Sequence, residues 1–167
     1  GVVVNDCRKS GSFAILSSLL TYHDGELDPI FVRSLFDMRL LVETENARLA
    51  ADNISAEQLA ELREVVAQEK TTDQGNIGAL VELDFEFHLL ISIASENTAY
   101  PLILNSFKSV YTHFTSAFYV KATGASIIDE VFTQQSKLLD ALEARKADQA
   151  AEMMKQLLIH GESFLLN

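Results

Sequence analysis

An all-α fold, an antiparallel bundle of six or seven helices, is what this sequence predicts, on three observations. Apolar residues recur at i, i+3, i+4 and i+7 through most of the chain, the period of one buried helix face. Breakers are scarce, with two prolines and seven glycines in 167 residues. Helix-starting chemistry stands before the periodic runs, at Asp28-Pro29, at Ser55-Ala-Glu-Gln58 and at Asn97-Thr98.

Gly1–Asp6 is a short valine-rich, β-like run and Arg8–Ser12 a polar linker. Phe13–His23 reads as a short apolar helix stopped by Asp24-Gly25. A long helix follows from Asp28 to about Asn53, its stripe formed by Phe31, Leu35, Met38, Val42 and Leu49, with Asn46 among them. The capping box at Ser55–Gln58 opens a third helix to Glu69, and Lys70–Gly78 is a polar loop. Asn76–Ser95 is a helix apolar on nearly every side. Ala99–Lys121 follows, with Pro101 tolerated in its first turn and Ile103, Phe107, Val110, Phe114 and Phe118 facing inward. Ile127–Arg145 buries Ile128, Val131, Leu139 and Leu142, and Asp148–Leu166 buries Ala150, Met154, Leu157, Leu158 and Leu165.

Composition narrows the functions. The net charge is −11, and the 13 Lys and Arg residues form no dense patch, so this chain does not grip phosphates by itself. No apolar run approaches the ~20 residues of a membrane span. A single cysteine, Cys7, excludes an internal disulfide framework and fits a reducing cytoplasm.

Polar residues placed where the period expects apolar ones mark the candidate site. Asp84 and His88 lie one turn apart on one face, flanked by Leu80, Ile91 and Ser95. A carboxylate and an imidazole are costly to bury unless they bind each other or something else, and an internal Asp–His hydrogen bond is the plainer alternative. Arg39 projects within about 40° of the centre of its helix stripe, either paired with Glu43 one turn on or aimed into a cavity to hold an anion. Asn46 and Gln135 sit on apolar faces, His113 at the edge of an aromatic stripe, and His160 points away from the core.

Four segments then occur together and in order: SGSFAIL, MRLLVETENARLAA, LDFEFHLLISIASENTAYPLIL and KLLDALEARKADQAAEMM. In this the chain resembles, from about Ser10 to its end, the C-terminal effector domain of the FadR subfamily of GntR-type bacterial transcription regulators. The segment built as D-x-x-F-H-x-x-[LI]-x-x-A-S-x-N carries most of the resemblance. It implies that residues 1–12 are the remnant of the wing and linker of a winged-helix DNA-binding domain, and that residues 13–167 form a ligand-binding and dimerising unit. The expected partners are a small anionic effector (an organic acid, fatty acid or acyl-CoA), a second copy of the chain, and operator DNA held by the other domain. A cytoplasmic place follows.

Many members of that subfamily hold a divalent metal with one Asp and three His, and read a carboxylate through the metal and an arginine. Asp84 and His88 match the first two ligands, and Arg39 matches the arginine. The other two ligand positions fall at Gln135 and Leu157, a weak oxygen donor and no donor, so the implied zinc-type set is incomplete unless His113 turns inward to supply another imidazole. The Phe-rich run through AYPLILNSFKSVYTHFTSAFY is similar instead to a metal-free branch that senses fatty acyl-CoA, although Leu157–Gly161 (LLIHG) departs from its nucleotide contacts. Two other classes compete with this reading: a helical module that only dimerises, and an enzyme using Asp84, Glu86 and His88. Glu86 points about 200° from Asp84 and no nucleophile–base set is visible, so no enzyme is expected.

Overall fold

A computed structural model of the chain describes residues 28–166. The expected wing remnant, linker and first helix (Phe13–His23) lie outside the described residues, as does Cys7. Seven helices account for the rest: α1 (Pro29–Asn53), α2 (Ala56–Thr71), α3 (Ile77–Ala94), α4 (Tyr100–Ser106), α5 (Lys108–Ala122), α6 (Ile127–Glu143) and α7 (Ala147–Leu166). Among the described residues there is no strand, and no helix is long and apolar enough to cross a membrane.

The helix starts are built as the sequence indicates. Asp28 accepts hydrogen bonds from the backbone N–H groups of Ile30 (2.9 Å) and Phe31 (3.1 Å), with Pro29 preset for the first turn. Ser55 and Gln58 close the capping box reciprocally, at 2.9 and 3.1 Å. At the third start the cap differs: Asn97 accepts from the N–H of Ala99 at 3.0 Å, and Ala99 caps α4 without a side-chain bond.

Three expectations are corrected. The single helix expected over Ala99–Lys121 is two, divided where Phe107 leaves helical geometry (φ −115°, ψ 19°) while its ring is buried in the core. Helix α2 runs to Thr71, so the loop before α3 is shorter than expected. The buried face of α1 is Val32, Leu35, Glu43, Asn46, Ala47, Ala50 and Ala51, turned from the predicted stripe. The three alanines belong to the larger core cluster, and α7 is the helix against which α1 packs most extensively, whereas Phe31, Met38 and Val42 only border a smaller cluster.

Two apolar clusters form the core. The larger joins α1, α2, α3, α5, α6 and α7 through residues such as Ala47, Leu62, Leu80, Ile91, Leu138, Leu142 and Met154. The smaller gathers Leu35, Phe85, Leu104, Phe107, Val110 and Tyr111. Each fully buried Leu or Ile contributes roughly 1.5–3 kcal/mol. Helices α1 and α3 run in the same direction, touching at Glu43 and His88 and again where Asn53 Nδ2 donates to the carbonyl of Ser95 at 3.1 Å. The polar residues of the site lie along this contact.

Candidate functional site

Glu43 sits one turn after Arg39 on the inward side of α1 and is 1% exposed. Arg39 Nε donates to Glu43 Oε1 at 2.6 Å, and Glu43 Oε2 faces Nδ1 of His88 from α3. One buried carboxylate therefore joins both nitrogen bases of the site. Burial alone would push the Glu43 carboxyl up, but Arg39 and His88 outweigh it and hold it at about 2. Burial also works against the Arg39 charge, and Glu43, with Tyr111 and Asp84 behind it, raises that group above its ordinary value. The guanidinium lies 4.1 Å over the ring of Tyr111, a cation–π contact that fixes its plane.

Asp84 does not bond to His88. Its Oδ2 accepts from the Tyr111 hydroxyl at 2.6 Å and, at the long distance of 3.5 Å, from Thr115 Oγ1. The Tyr111 phenol is pushed well up, by burial first and then by Asp84. Arg39 is thus held by Glu43 and Tyr111, and Tyr111 in turn holds Asp84.

A second buried cluster lies on the α2, α5 and α6 side. Glu69, wholly buried in the last turn of α2, accepts from the Tyr119 hydroxyl at 2.5 Å and from Gln135 Nε2 at 2.9 Å. Burial pushes its carboxyl up to about 7, and the charge of Asp84 adds in the same direction. The Tyr119 phenol is likewise raised, chiefly by burial.

Between α1, α3, α5, α6 and α7 lies a partly open cavity of about 70 Å³. Arg39, Asp84, His88 and Thr115 supply its polar wall, and Phe36, Phe114, Phe118, Val131, Leu157 and Leu158 most of the apolar one. Of the residues expected at the site, Arg39, Asp84 and His88 meet here. Gln135 is fully buried but turned to Glu69, and it is not among the lining residues. Asn46 is 1% exposed beside Glu43 on α1, and its amide makes no hydrogen bond among the described residues. His113 is half-buried against Phe114 (ring centroids 5.4 Å apart) and does not line the cavity. His160 is partly exposed, with Nε2 3.2 Å from Glu130.

Glu69, Tyr111, Thr115 and Tyr119 were not anticipated. Glu69 had a signal, because Leu62, Val65, Val66 and Glu69 are all buried at one helical spacing. The three α5 residues each follow an expected core position by one, so a stripe drawn through Val110, Phe114 and Phe118 passes beside them.

The metal implied by the resemblance does not fit these residues. Gln135 is committed to Glu69 and Leu157 has no donor, which leaves Asp84 and His88 as two strong donors where a zinc-type site uses three or four. Among the described residues no three His, Cys, Asp or Glu side chains converge as a metal-ligating group.

Fold and site together define a class: a helical domain with a polar-walled internal cavity and no assembled nucleophile–base set among the described residues. The chain belongs to the FCD domain family, which matches residues 34–160, the effector-binding domain of GntR-type transcription regulators. The fatty acid metabolism regulator protein of Yersinia pestis (strain Pestoides F) is 26% identical over 152 residues, 91% of this chain and 60% of that protein. The same figures hold for the protein of that name from Yersinia pseudotuberculosis serotype O:1b. The chain therefore spans about 60% of the length of these curated relatives. Among solved structures, E. coli McbR/YncC superposes with a TM-score of 0.70 at 17% identity, over 84% of this chain and 70% of that one. Streptococcus agalactiae GntR gives 0.67 at 21% identity, over 82% and 62%. These likenesses show the fold.

Proposed function

We propose that this domain senses a small carboxylate in the cavity beside Arg39, and that binding shifts the helices to change how an attached DNA-binding domain holds its operator. The observation that carries the reading is the state of Arg39. Its Nε is tied to Glu43 and its plane rests on Tyr111, so the guanidinium is held rigid while lining the cavity. Its terminal nitrogens make no hydrogen bond to the described residues, and such a fork is suited to a carboxylate. A regulator of this kind works as a homodimer in the cytoplasm, with the effector biasing two arrangements of the pair.

The relatives' name points to fatty acids. Pockets that take drug-sized ligands measure ~300 Å³ or more, and this cavity of about 70 Å³ favours a short acid over a long acyl chain. A thermal-shift series of straight-chain acids from acetate to octanoate, with fatty acyl-CoA alongside, tests both readings. Stabilisation by short acids that disappears in Arg39→Met supports this one. A response to acyl-CoA alone supports the fatty-acid reading, and no response to any acid favours a domain that only dimerises.

A further inference from the structure

We infer that the effector is a zwitterion: an α-amino carboxylate with a small apolar side group, its carboxylate on Arg39 and its ammonium on Asp84. The inference rests on the proposal that this cavity takes a carboxylate, and it adds what the remaining charge in the wall requires. Arg39 and Glu43 form a buried ion pair, and the His88 nitrogen nearest them is also turned to Glu43. Asp84 is left with two neutral hydroxyls as its direct partners, both on Oδ2, and Oδ1 takes neither of those bonds.

The residues that would place a metal against this carboxylate are absent, since Gln135 serves Glu69 and Leu157 is apolar. A plain carboxylate entering beside Arg39 would bring a second negative charge close to Asp84, in a wall that also includes Glu162. Nearby charge of the same sign is already felt at Glu69, whose acidity Asp84 weakens. An ammonium one carbon from the ligand's carboxylate removes that repulsion and gives Asp84 its missing cationic donor. Phe36, Phe114, Phe118, Val131 and Leu157 then offer apolar surface to the side group, and the volume keeps it small.

Calorimetric titration at neutral pH with matched ligands tests this. The ligands are L-valine, 2-hydroxy-3-methylbutanoate and 3-methylbutanoate, with the corresponding leucine series. Each amino acid is expected to bind at least about tenfold more tightly than its deaminated acid, with the hydroxy acid between them. Asp84→Asn, which keeps an oxygen for Tyr111 and Thr115, should level the three. A deaminated acid that binds as tightly as its amino acid overturns the zwitterion and leaves the carboxylate reading standing. No binding by any of them at about 10 mM, beyond the weak end of ordinary affinities, overturns both.

Discussion

Glu43 and His88 face each other across the contact of α1 and α3, carboxylate oxygen against ring nitrogen, with both side chains closed off from solvent. The pair is the point at which the cavity wall is fastened to the bundle, because the other oxygen of Glu43 holds Arg39. Replacing Glu43 by alanine strands a guanidinium that is 14% exposed and leaves a buried imidazole without its partner. Removing one member of a buried ion pair costs about 3–5 kcal/mol, so urea unfolding of Glu43→Ala at pH 7 should show a loss of that size. A loss below about 1 kcal/mol, the range of an exposed pair, would mean that the contact contributes little.

The two hydroxyls on Asp84 should contribute unequally. Tyr111→Phe removes a 2.6 Å bond to a carboxylate, worth about 1.5–3 kcal/mol, and keeps the ring under Arg39 and its edge contact with Phe85. Thr115→Val removes a contact at 3.5 Å, the outer limit of a hydrogen bond, and should cost less. Thermal unfolding of the two variants side by side checks the order.

Stability should also depend on pH through Glu69. Its folded value of about 7 lies above the ordinary 4.5, so the folded state binds the proton more tightly than the unfolded chain does. The contribution is complete below about 4.5 and is lost as pH rises through about 7, a change on the order of 1–3 kcal/mol by linkage. Glu43 has the opposite sign: its contribution is present above about 4.5 and fades as pH falls towards about 2. Unfolding free energies measured between pH 5 and 8 should therefore decline for the wild type, and Glu69→Gln should flatten the slope. An unchanged slope in that variant would assign the dependence to another group.

Divalent metal should leave the domain unmoved. An ion bound only by the folded state would raise stability by several kcal/mol when well above its dissociation constant, as mass action requires. With only Asp84 and His88 as strong donors, fewer than the three or four of a zinc-type site, zinc or chelator should change the melting temperature by less than about 1 °C. A rise of several degrees with zinc, reversed by chelator, would show that the wall rearranges into a metal site.

How much of this was legible in the sequence follows from how helices repeat. The caps at Asp28 and Ser55, the nearly unbroken apolar run of α3 and the period of α6 placed the elements, because those signals are local. Arg39, Asp84 and His88 stood out as polar residues on apolar faces, and they do meet in one cavity. Their partners were harder to read. A helical period reports which way a side chain points but not which neighbour it meets, so an Asp84–His88 bond and a Glu43–His88 contact look alike from spacing. Glu69 was hidden by its place at the predicted end of α2, where an acidic residue normally meets water. The Phe107 break was invisible because Ile103, Phe107, Val110 and Phe114 keep an unbroken helical rhythm through it.

The most direct test of the account is the nuclear magnetic resonance signal of the Arg39 Nε–H group during titration with L-valine and, separately, with 3-methylbutanoate. This N–H is buried and bonded to Glu43, which slows its exchange with water and makes it observable. A saturable movement of that signal with at least one of the two acids, together with backbone shifts in α1 and α3, is the predicted result. An Arg39 signal that stays fixed while the amides respond elsewhere, or do not respond at all, would contradict it.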